Sequence, residues 1–423
     1  MWKKNIVVLF VWCCISPALH AADTPASVTL QSCYEKAIAN YPLVKQRGLI
    51  EKSNEYSIAN LDKGYLPQVS LNGQASYQSD VTALPLQLPG ITVPELARDQ
   101  YKLYAEFSQA VYNGQAIHKQ KELQASNAAV ESQKLEVELY KLRERVTQLY
   151  FGVLLADAQM QQTDLMKNDI QNGIEKTNAA IQNGIALKSN LDLLKVEMLK
   201  ADQRRLEVVA LREAYLDMLG QLTNLPIDAT TVLELPQEIK PGDSIRRPEL
   251  SLFDMQTSLL NKQEQVITSR NLPRLNLFLQ TGYGRPGLNM LSNEFDTWYL
   301  GGVRLNWTIN GFYTQKKERA ILNVNRQGLA LQKDAFLFNT QYALKMQNAE
   351  ISKLDQLRNS DNDIVQLRTK IKTTASAQLE NGIITSSEYM REVNAEDQAR
   401  LAKSLHELQL LMAIYNHLYI TGN

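Results

Sequence analysis

The chain has 423 residues, of which 45 are Lys or Arg and 45 are Asp or Glu, so its formal net charge is zero. This balance provides no basic face of the kind that binds nucleic acid. After the N-terminal region no apolar run approaches the roughly twenty residues of a transmembrane helix. The composition therefore excludes a nucleic-acid-binding protein and a helical membrane protein.

The first 22 residues have the pattern of a secretory signal peptide. Lys3 and Lys4 precede an apolar run of about ten residues, which is too short for the transmembrane anchor that is the alternative, because a spanning helix needs roughly twenty. Small residues follow this run. We therefore expect cleavage near Ala21 or Ala22 and export of the mature chain.

The cysteines give two further expectations. Cleavage removes Cys13 and Cys14 and leaves Cys33 alone, so the mature chain has no internal disulfide framework. The residues before the first two cysteines, Val11 and Trp12, are too bulky for a lipoprotein cleavage site. We therefore expect no lipid anchor.

The mature chain contains a long internal repeat. The Leu-Pro sequences at Pro67 and Pro273 are 206 positions apart, and the Asn-Gly sequences at Asn183 and Asn381 are 198 apart. Solenoid repeats have periods of about 20–50 residues, so this repeat indicates a duplicated half-domain. Asn113 and Asn310, which follow the strand pairs, are only 197 positions apart, so the nine-residue difference lies in the loop between the two strands.

This repeat divides the chain into three parts after the signal peptide. The first repeat covers residues 23–224, and the second covers residues 248–423. A proline-rich connector at 225–247 separates them and is expected to include a short strand at 231–235. The connector is too long for a hairpin turn and must run along the side of the helices.

Each repeat is predicted to begin with a helix and to continue as a strand pair. The first helix covers 29–64, and the strand pairs lie within 66–112 and 272–310, where apolar and polar residues alternate. The strands are ten to thirteen residues long, as in tilted transmembrane strands of about 9–11 residues. Aromatic residues lie near the strand ends, as in the girdles of outer-membrane barrels. The alternative is one face of a soluble β-sandwich.

Each strand pair leads into a helical hairpin. Leucines spaced by four and three residues, such as Leu135, Leu139 and Leu142, predict heptad packing between long helices. A first helix of about seventy residues would be roughly 100 Å long. The glycines near 184 and 382 mark the hairpin tips, where a helix can end in the left-handed conformation.

Four strands per chain cannot close a bacterial outer-membrane barrel, which has at least eight. An open sheet edge is not viable in lipid, because its backbone groups lack partners. Several chains must therefore share one barrel, with eight strands in a dimer or twelve in a trimer. The helices continue from the strands and must follow the same ring into the periplasm.

With these features the sequence resembles the TolC-like outer-membrane efflux protein family. The resemblance covers the mature chain and rests on the duplication, the Leu-Pro strand starts, the turns ending at Gly114 and Gly311, and the two tip sequences. It implies a mainly α chain with a β-barrel part, closed only as a homotrimer with a 12-stranded barrel and a periplasmic α-barrel. It also implies an exit duct for efflux or type I secretion in the Gram-negative outer membrane. The implied partners are a periplasmic adaptor (membrane fusion) protein and an inner-membrane pump of RND, ABC or MFS type.

The resemblance also implies site residues at the two tips. The adaptor-docking residues would be Gly184, Ala186, Leu187, Gly382, Ile383 and Ile384. The residues of the periplasmic aperture would be Lys188, Asp192, Glu388 and Arg391. Because these four charges are mixed, the sequence does not support a strongly cation-selective aperture. Each of these residues could equally be part of a solvated helix end.

The residues give no support to an enzyme, a cofactor or a metal site. The glycine-rich sequence at 282–287 follows a strand but leads into a loop, so it does not predict a dinucleotide site. The histidines are isolated, and Asp361 and Asp363 are expected on the exposed face of a long helix. The functional alternative to a duct is a soluble periplasmic adaptor with a coiled-coil hairpin and a small β-domain.

Overall fold

The computed structural model describes residues 28–82, 97–184 and 186–423, so the predicted signal peptide lies outside the described residues. Eight helices and four strands follow in the order α1 Leu30–Asn40, α2 Gln46–Asp62, β1 Gln68–Tyr77, β2 Asp99–Tyr112, α3 Ala116–Tyr140, α4 Leu142–Gln182, α5 Lys188–Thr223, α6 Pro248–Arg270, β3 Arg274–Arg285, β4 Asp296–Asn306, α7 Gly311–Glu380 and α8 Ser386–Thr421. The prediction of a mainly α chain with four strands is confirmed.

The four strands form one antiparallel sheet in the order β1-β2-β3-β4. Leu71 lies opposite Ala105, Phe107 opposite Leu279, and Leu277 opposite Val303 in consecutive strand pairs. Residues directly opposite each other in a sheet share a face. The apolar positions of all four strands therefore form one continuous apolar face.

This apolar face is exposed in the single chain. The exposed fraction is 74% for Leu71 and 61% for Val303. The opposite face is more polar, and there Gln280 of the neighbouring strand β3 and Arg304 of β4 bind the carboxylate of Glu106 on β2. Among the residues that the structure describes, no hydrophobic core covers this apolar side of the sheet.

The helices pack side by side, with different neighbours in the half that contains the tips and in the half next to the sheet. In the half that contains the tips, α4 and α8 are central, with α5 packed on α4 and α7 packed on α8. In the half next to the sheet, α3 and α6 are central, with α2 packed on α3 and α7 on α6. The largest buried side chains include Tyr150 and Phe151, where α4 packs against α1, α5 and α8. Among the described helices, none combines the length and the apolar character needed to cross a membrane.

Two predicted helices are interrupted. The helix predicted over 29–64 ends at Asn40 because Tyr41, which precedes Pro42, takes an extended backbone with ψ 128°. The first long helix, predicted as one segment of about seventy residues, breaks at Lys141 between α3 and α4. This break lies where the helix changes its neighbour from α6 to α5. In the second repeat, α7 runs without interruption for 70 residues.

The connector forms a single bridge instead of the strand predicted at 231–235. Leu233 makes one parallel β-bridge with Val28. Side chains hold the neighbouring backbone, since Arg212 donates hydrogen bonds to the carbonyls of Ala229 and Thr231 at 2.7 and 2.9 Å. Because side chains satisfy these two carbonyl groups, they need no partner from a neighbouring strand.

The expectation that Asp361 lies on an exposed helix face was wrong. Asp361 is 6% exposed, and its carboxylate lies 2.8 Å from Nδ1 of His406 on the neighbouring helix α8. Asp363 is exposed, as expected. The buried carboxylate of Asp361 is compensated by His406, which reaches it from another helix. The heptad pattern of α7 alone does not reveal this partner.

Candidate functional site at the hairpin tips

The second tip ends α7 with a left-handed glycine. Gly382 has φ +68°, and the amides of Gly382 and Ile383 donate to the carbonyls of Leu379 and Gln378. These two hydrogen bonds form a Schellman motif, which satisfies carbonyls that the end of a helix leaves free. The motif turns the chain sharply and leaves Ile383 70% exposed.

The first tip has a similar geometry. Gly184 has φ +74°, and its amide donates to the carbonyl of Ile181. Helix α5 then begins at Lys188 after Leu187, which is 71% exposed and provides no side-chain cap. Each tip therefore presents a large aliphatic side chain to solvent, one or three residues after the glycine.

Helix α8 begins with a capping box. Thr385 Oγ1 accepts a hydrogen bond from the amide of Glu388 at 3.2 Å, and the carboxylate of Glu388 accepts one from the amide of Thr385 at 2.8 Å. The hydrogen bonds from the backbone and side chain of Thr385 lower the pKa of Glu388. This predicted aperture residue is thus an ionised helix cap.

The structure brings the two tips together. Ala186 of the first tip and Gly382, Ile383 and Ile384 of the second line one cavity of about 150 Å³. In the wall of this cavity, the Thr177 and Ser386 hydroxyls share a hydrogen bond of 3.2 Å. Four of the six predicted docking residues therefore lie on one surface.

Two predicted aperture residues lie in a neighbouring groove. Glu388 and Arg391 line a groove of about 370 Å³ between α7 and α8, together with Ile384. The Arg391 side chain is 75% exposed and contacts the carboxylate of Glu392. Lys188 and Asp192 lie in the exposed first turns of α5, outside this groove. The structure thus places the two aperture residues of the second tip in one groove. The two aperture residues of the first tip lie outside it.

Below the tips, a buried network of charges connects the two hairpins. Lys372 of α7 lies 3.0 Å from Asp169 of α4 and 2.8 Å from Glu396 of α8. Arg400 binds the other oxygen of Glu396 at 2.7 Å. The carboxylate side chain of Glu396 is only 3% exposed. The network therefore fixes the position of α8 relative to α7 and α4 through buried charge.

A second buried carboxylate, Asp397, connects α8 to the first hairpin. It accepts a hydrogen bond of 3.0 Å from Gln162 of α4 and lies 3.5 Å from the guanidinium of Arg204 of α5. Burial would raise the pKa of Glu396, but the hydrogen bonds from Lys372, Thr369 and Arg400 outweigh it and lower that pKa. At Asp397, burial outweighs its partners and raises the pKa. The environments of these two adjacent carboxylates therefore shift their pKa values in opposite directions.

Sequence reasoning missed this network. One signal was available, because Glu396 and Arg400 have the i,i+4 spacing of a helical ion pair. The partners from α4, α5 and α7 are 24 to 235 positions away in the chain, and a helical pattern carries no information about them.

Comparison with family models and with curated protein sequences found no match. Comparison with solved structures found several similar channels. The outer-membrane channel OprN shares 12% identity and a TM-score of 0.68, covering 93% of this chain and 89% of that one. The outer membrane protein VceC from Vibrio cholerae shares 12% identity and a TM-score of 0.67, with coverage of 93% and 96%.

The open state of the MtrE outer membrane channel from Neisseria gonorrhoeae shares 13% identity and a TM-score of 0.65, covering 93% of this chain and 89% of that one. At such low identity the similarity concerns the fold. It covers 93% of this chain in each of the three comparisons. The chain therefore has the fold of the TolC-like outer-membrane channels.

Proposed function

We propose that this chain is one protomer of an outer-membrane exit duct that passively conducts cargo from the periplasm to the outside. One observation carries the proposal: the four-stranded sheet exposes a continuous apolar face. Soluble monomers rarely expose apolar patches larger than a few hundred Å². A lipid bilayer is the environment in which such a face is stable.

The edges of the sheet require further copies of the chain. Among the described residues, β1 pairs only with β2, and β4 pairs only with β3. Unpaired backbone groups of this kind are too costly in hydrocarbon. Pairing of β4 with β1 of the next copy removes both edges and allows a closed ring.

The helices at the same edges carry exposed apolar residues. In the half that contains the tips, α5 exposes Leu199 and Leu206, and α7 exposes Ile364 and Leu367. These helices flank the central pair α4 and α8, so each would meet the other in a neighbouring copy. Such a head-to-tail contact generates a ring. With three copies, the ring has twelve strands and a twelve-helix tube, and its more polar sheet face lines a water-filled lumen.

The tips support the assignment of partners. Their exposed aliphatic residues, Leu187 and Ile383, suit a contact with the helical hairpin of a periplasmic adaptor. The adaptor would couple the duct to an inner-membrane pump of RND, ABC or MFS type, which supplies the energy. The duct would lie in the Gram-negative outer membrane without a lipid anchor, its helices would extend into the periplasm, and it would catalyse no reaction. The alternative, a soluble adaptor, is not favoured, because the similar structures are outer-membrane channels.

Conductance in planar lipid bilayers tests this function. The purified mature protein should insert and produce long-lived channels of uniform conductance. Charge reversal by Arg391→Glu should shift the reversal potential in a salt gradient toward cation selectivity, because Arg391 would lie at the narrowest point. The control, Lys200→Glu, changes an exposed charge on α5 that lies about 18 Å further along its helix than Lys188, and should have little effect.

The possible outcomes separate the two parts of the proposal. A protein that never conducts contradicts the duct. Channels whose selectivity is the same in Arg391→Glu and wild type leave the duct intact and contradict the placement of Arg391 at the aperture.

A further inference from the structure

A cavity of about 590 Å³ lies beside the connector, far along α8 from the tips. Its walls come from α1, from the start of α4, from the last turns of α8 and from connector residues 239–246. These elements are not the edge helices α5 and α7 that would meet neighbouring copies. The volume is within the range of about 300–1,000 Å³ that small-molecule sites occupy.

The cavity exists because side chains and backbone hold the connector against α8. The amide of Arg246 donates to the carbonyl of Thr421 at 2.6 Å, and the hydroxyl of Tyr415 donates to the carbonyl of Gln237 at 3.1 Å. Asn423 also donates to the carbonyl of Ser244 at 3.0 Å. These contacts fix the connector at both ends of the cavity, so the space between is preformed.

The walls are largely apolar and aromatic. Leu30, Ile239 and Leu418 supply aliphatic surface, and Tyr34, Tyr415 and Tyr419 supply rings. Burial raises the pKa of Tyr34 to about 12, against the opposing effect of its hydrogen bond with Thr147. The phenol is therefore uncharged at neutral pH. A ligand with an apolar, flat body would match this surface.

The charged side chains at this cavity are all cationic. Arg143, Lys240 and Arg246 line it, and among its described lining residues there is no Asp or Glu. Three carboxylates occur close by but have other partners. Glu144 acts on Tyr419, Glu249 pairs with Arg247, and Asp243 lies 3.5 Å from Nε2 of His417.

Arg143 is the most informative of the three cations. It is half-buried, and its guanidinium lies 5.5 Å from the ring centre of Tyr34 and 5.4 Å from that of Tyr140. It forms no ion pair with a carboxylate of the described chain, although most other arginines of α4 to α8 do. Cation–π contacts compensate only part of the cost of removing a charge from water. An anion in the cavity would supply the missing counter-charge.

We propose that this cavity binds a small organic monoanion with an aromatic body, such as an aryl carboxylate or sulfonate. The acid group would bind the guanidinium of Arg143, with Lys240 and Arg246 at the rim. The ring system would lie between the tyrosines and Leu418. None of the residues that line this cavity belongs to the tips. The proposed binding therefore does not depend on the channel function.

Binding of naphthalene-2-sulfonate to the purified full-length mature protein tests the proposal, measured by isothermal titration calorimetry. The neutral analogue naphthalene-2-sulfonamide has nearly the same shape and serves as the ligand control. We expect saturable binding of one sulfonate per chain. Affinity for the sulfonamide should be weaker by about tenfold or more, because a hydrogen bond to a charged group is stronger than one to a neutral group.

Variants locate the site. Arg143→Gln should weaken sulfonate binding by about tenfold or more. Because Arg143 also contacts two rings, the double variant Lys240→Gln/Arg246→Gln, which changes only exposed side chains, provides a second test and should weaken binding several-fold. Lys52→Gln changes an exposed lysine of α2 outside the cavity and should leave binding unchanged. Absence of saturable binding, equal affinity for the two ligands, or wild-type affinity in both cavity variants would overturn the proposal.

Discussion

Replacing Lys372 by Met is expected to lower the free energy of unfolding by about 3 kcal/mol or more, because it leaves the buried carboxylate of Glu396 without its main counter-charge. Glu396 would keep Arg400, whose side chain is 37% exposed and partly hydrated. The change also removes the contact between Lys372 and Asp169, and with it one connection between the two hairpins. Urea unfolding followed by far-UV circular dichroism measures the loss.

The matched control is Lys353→Met on the same helix. Lys353 forms an ion pair with Glu350, but both side chains are about half exposed. Exposed pairs contribute about 0–1 kcal/mol, so this variant should unfold almost as the wild type does. Equal stability of the two variants would show that the buried network does not hold α7, α8 and α4 together.

The effect of Lys372→Met should depend on pH. In the wild type the pKa of Glu396 is lowered from 4.5, so its contribution to stability is complete above that value and is lost as the pH falls through the lower, folded-state pKa. The stability difference between wild type and variant should therefore be largest at neutral pH and shrink below pH 4.5. Asp397, whose pKa is raised, has the opposite dependence but is present in both proteins and cancels in the difference.

Replacing Gly282 by Ala should separate the sheet into two halves. Gly282 lies opposite Tyr104, and a Cβ atom at this position would be 2.5 Å from Cβ of Tyr104 and 2.6 Å from the carbonyl oxygen of Leu103. Backbone atoms must move to relieve these contacts, so strands β2 and β3 cannot keep their pairing. Overpacking alone lowers the free energy of unfolding by about 1–3 kcal/mol. Because Gly282→Ala also breaks hydrogen bonds between β2 and β3, we expect a decrease larger than this range.

Gly73→Ala is the control for this prediction. Gly73 is also in the sheet, but a Cβ atom there would lie 3.7 Å from Cδ1 of Leu103, an ordinary contact. The amount of protein recovered in the outer-membrane fraction, and its resistance to protease, should fall sharply for Gly282→Ala and stay near wild type for Gly73→Ala. Similar recovery of both would mean that β2 and β3 do not pair as described.

The periodic elements could be predicted from the sequence because their signals are local. Alternation with a period of two placed the strand predicted from residue 66 close to β1, which begins at Gln68. The Asn-Gly sequences placed the ends of α4 and α7, since glycine takes the positive φ found at Gly184 and Gly382. The break at Pro42 had a local signal too, in the restricted backbone of the residue before a proline.

Other features depend on partners that are distant in the sequence. Glu396 and Asp397 are adjacent acids in a helix, and a pattern of this kind ordinarily indicates a solvated face. Their burial depends on Lys372, Arg204 and Gln162, which reach them from three other helices. The same is true of Asp361 and its partner His406. The roles of the tip residues in docking and in the aperture depend on other molecules, so they stay predictions.

We propose that identical copies complete the exposed sheet face and the two open edges of the described sheet as a shared barrel in lipid. The mass of the protein particle extracted from outer membranes, measured by light scattering with the detergent contribution subtracted, tests it most directly. We predict three chains per particle and complete dependence on detergent for solubility. A particle of one chain that stays in solution without detergent would contradict the shared barrel.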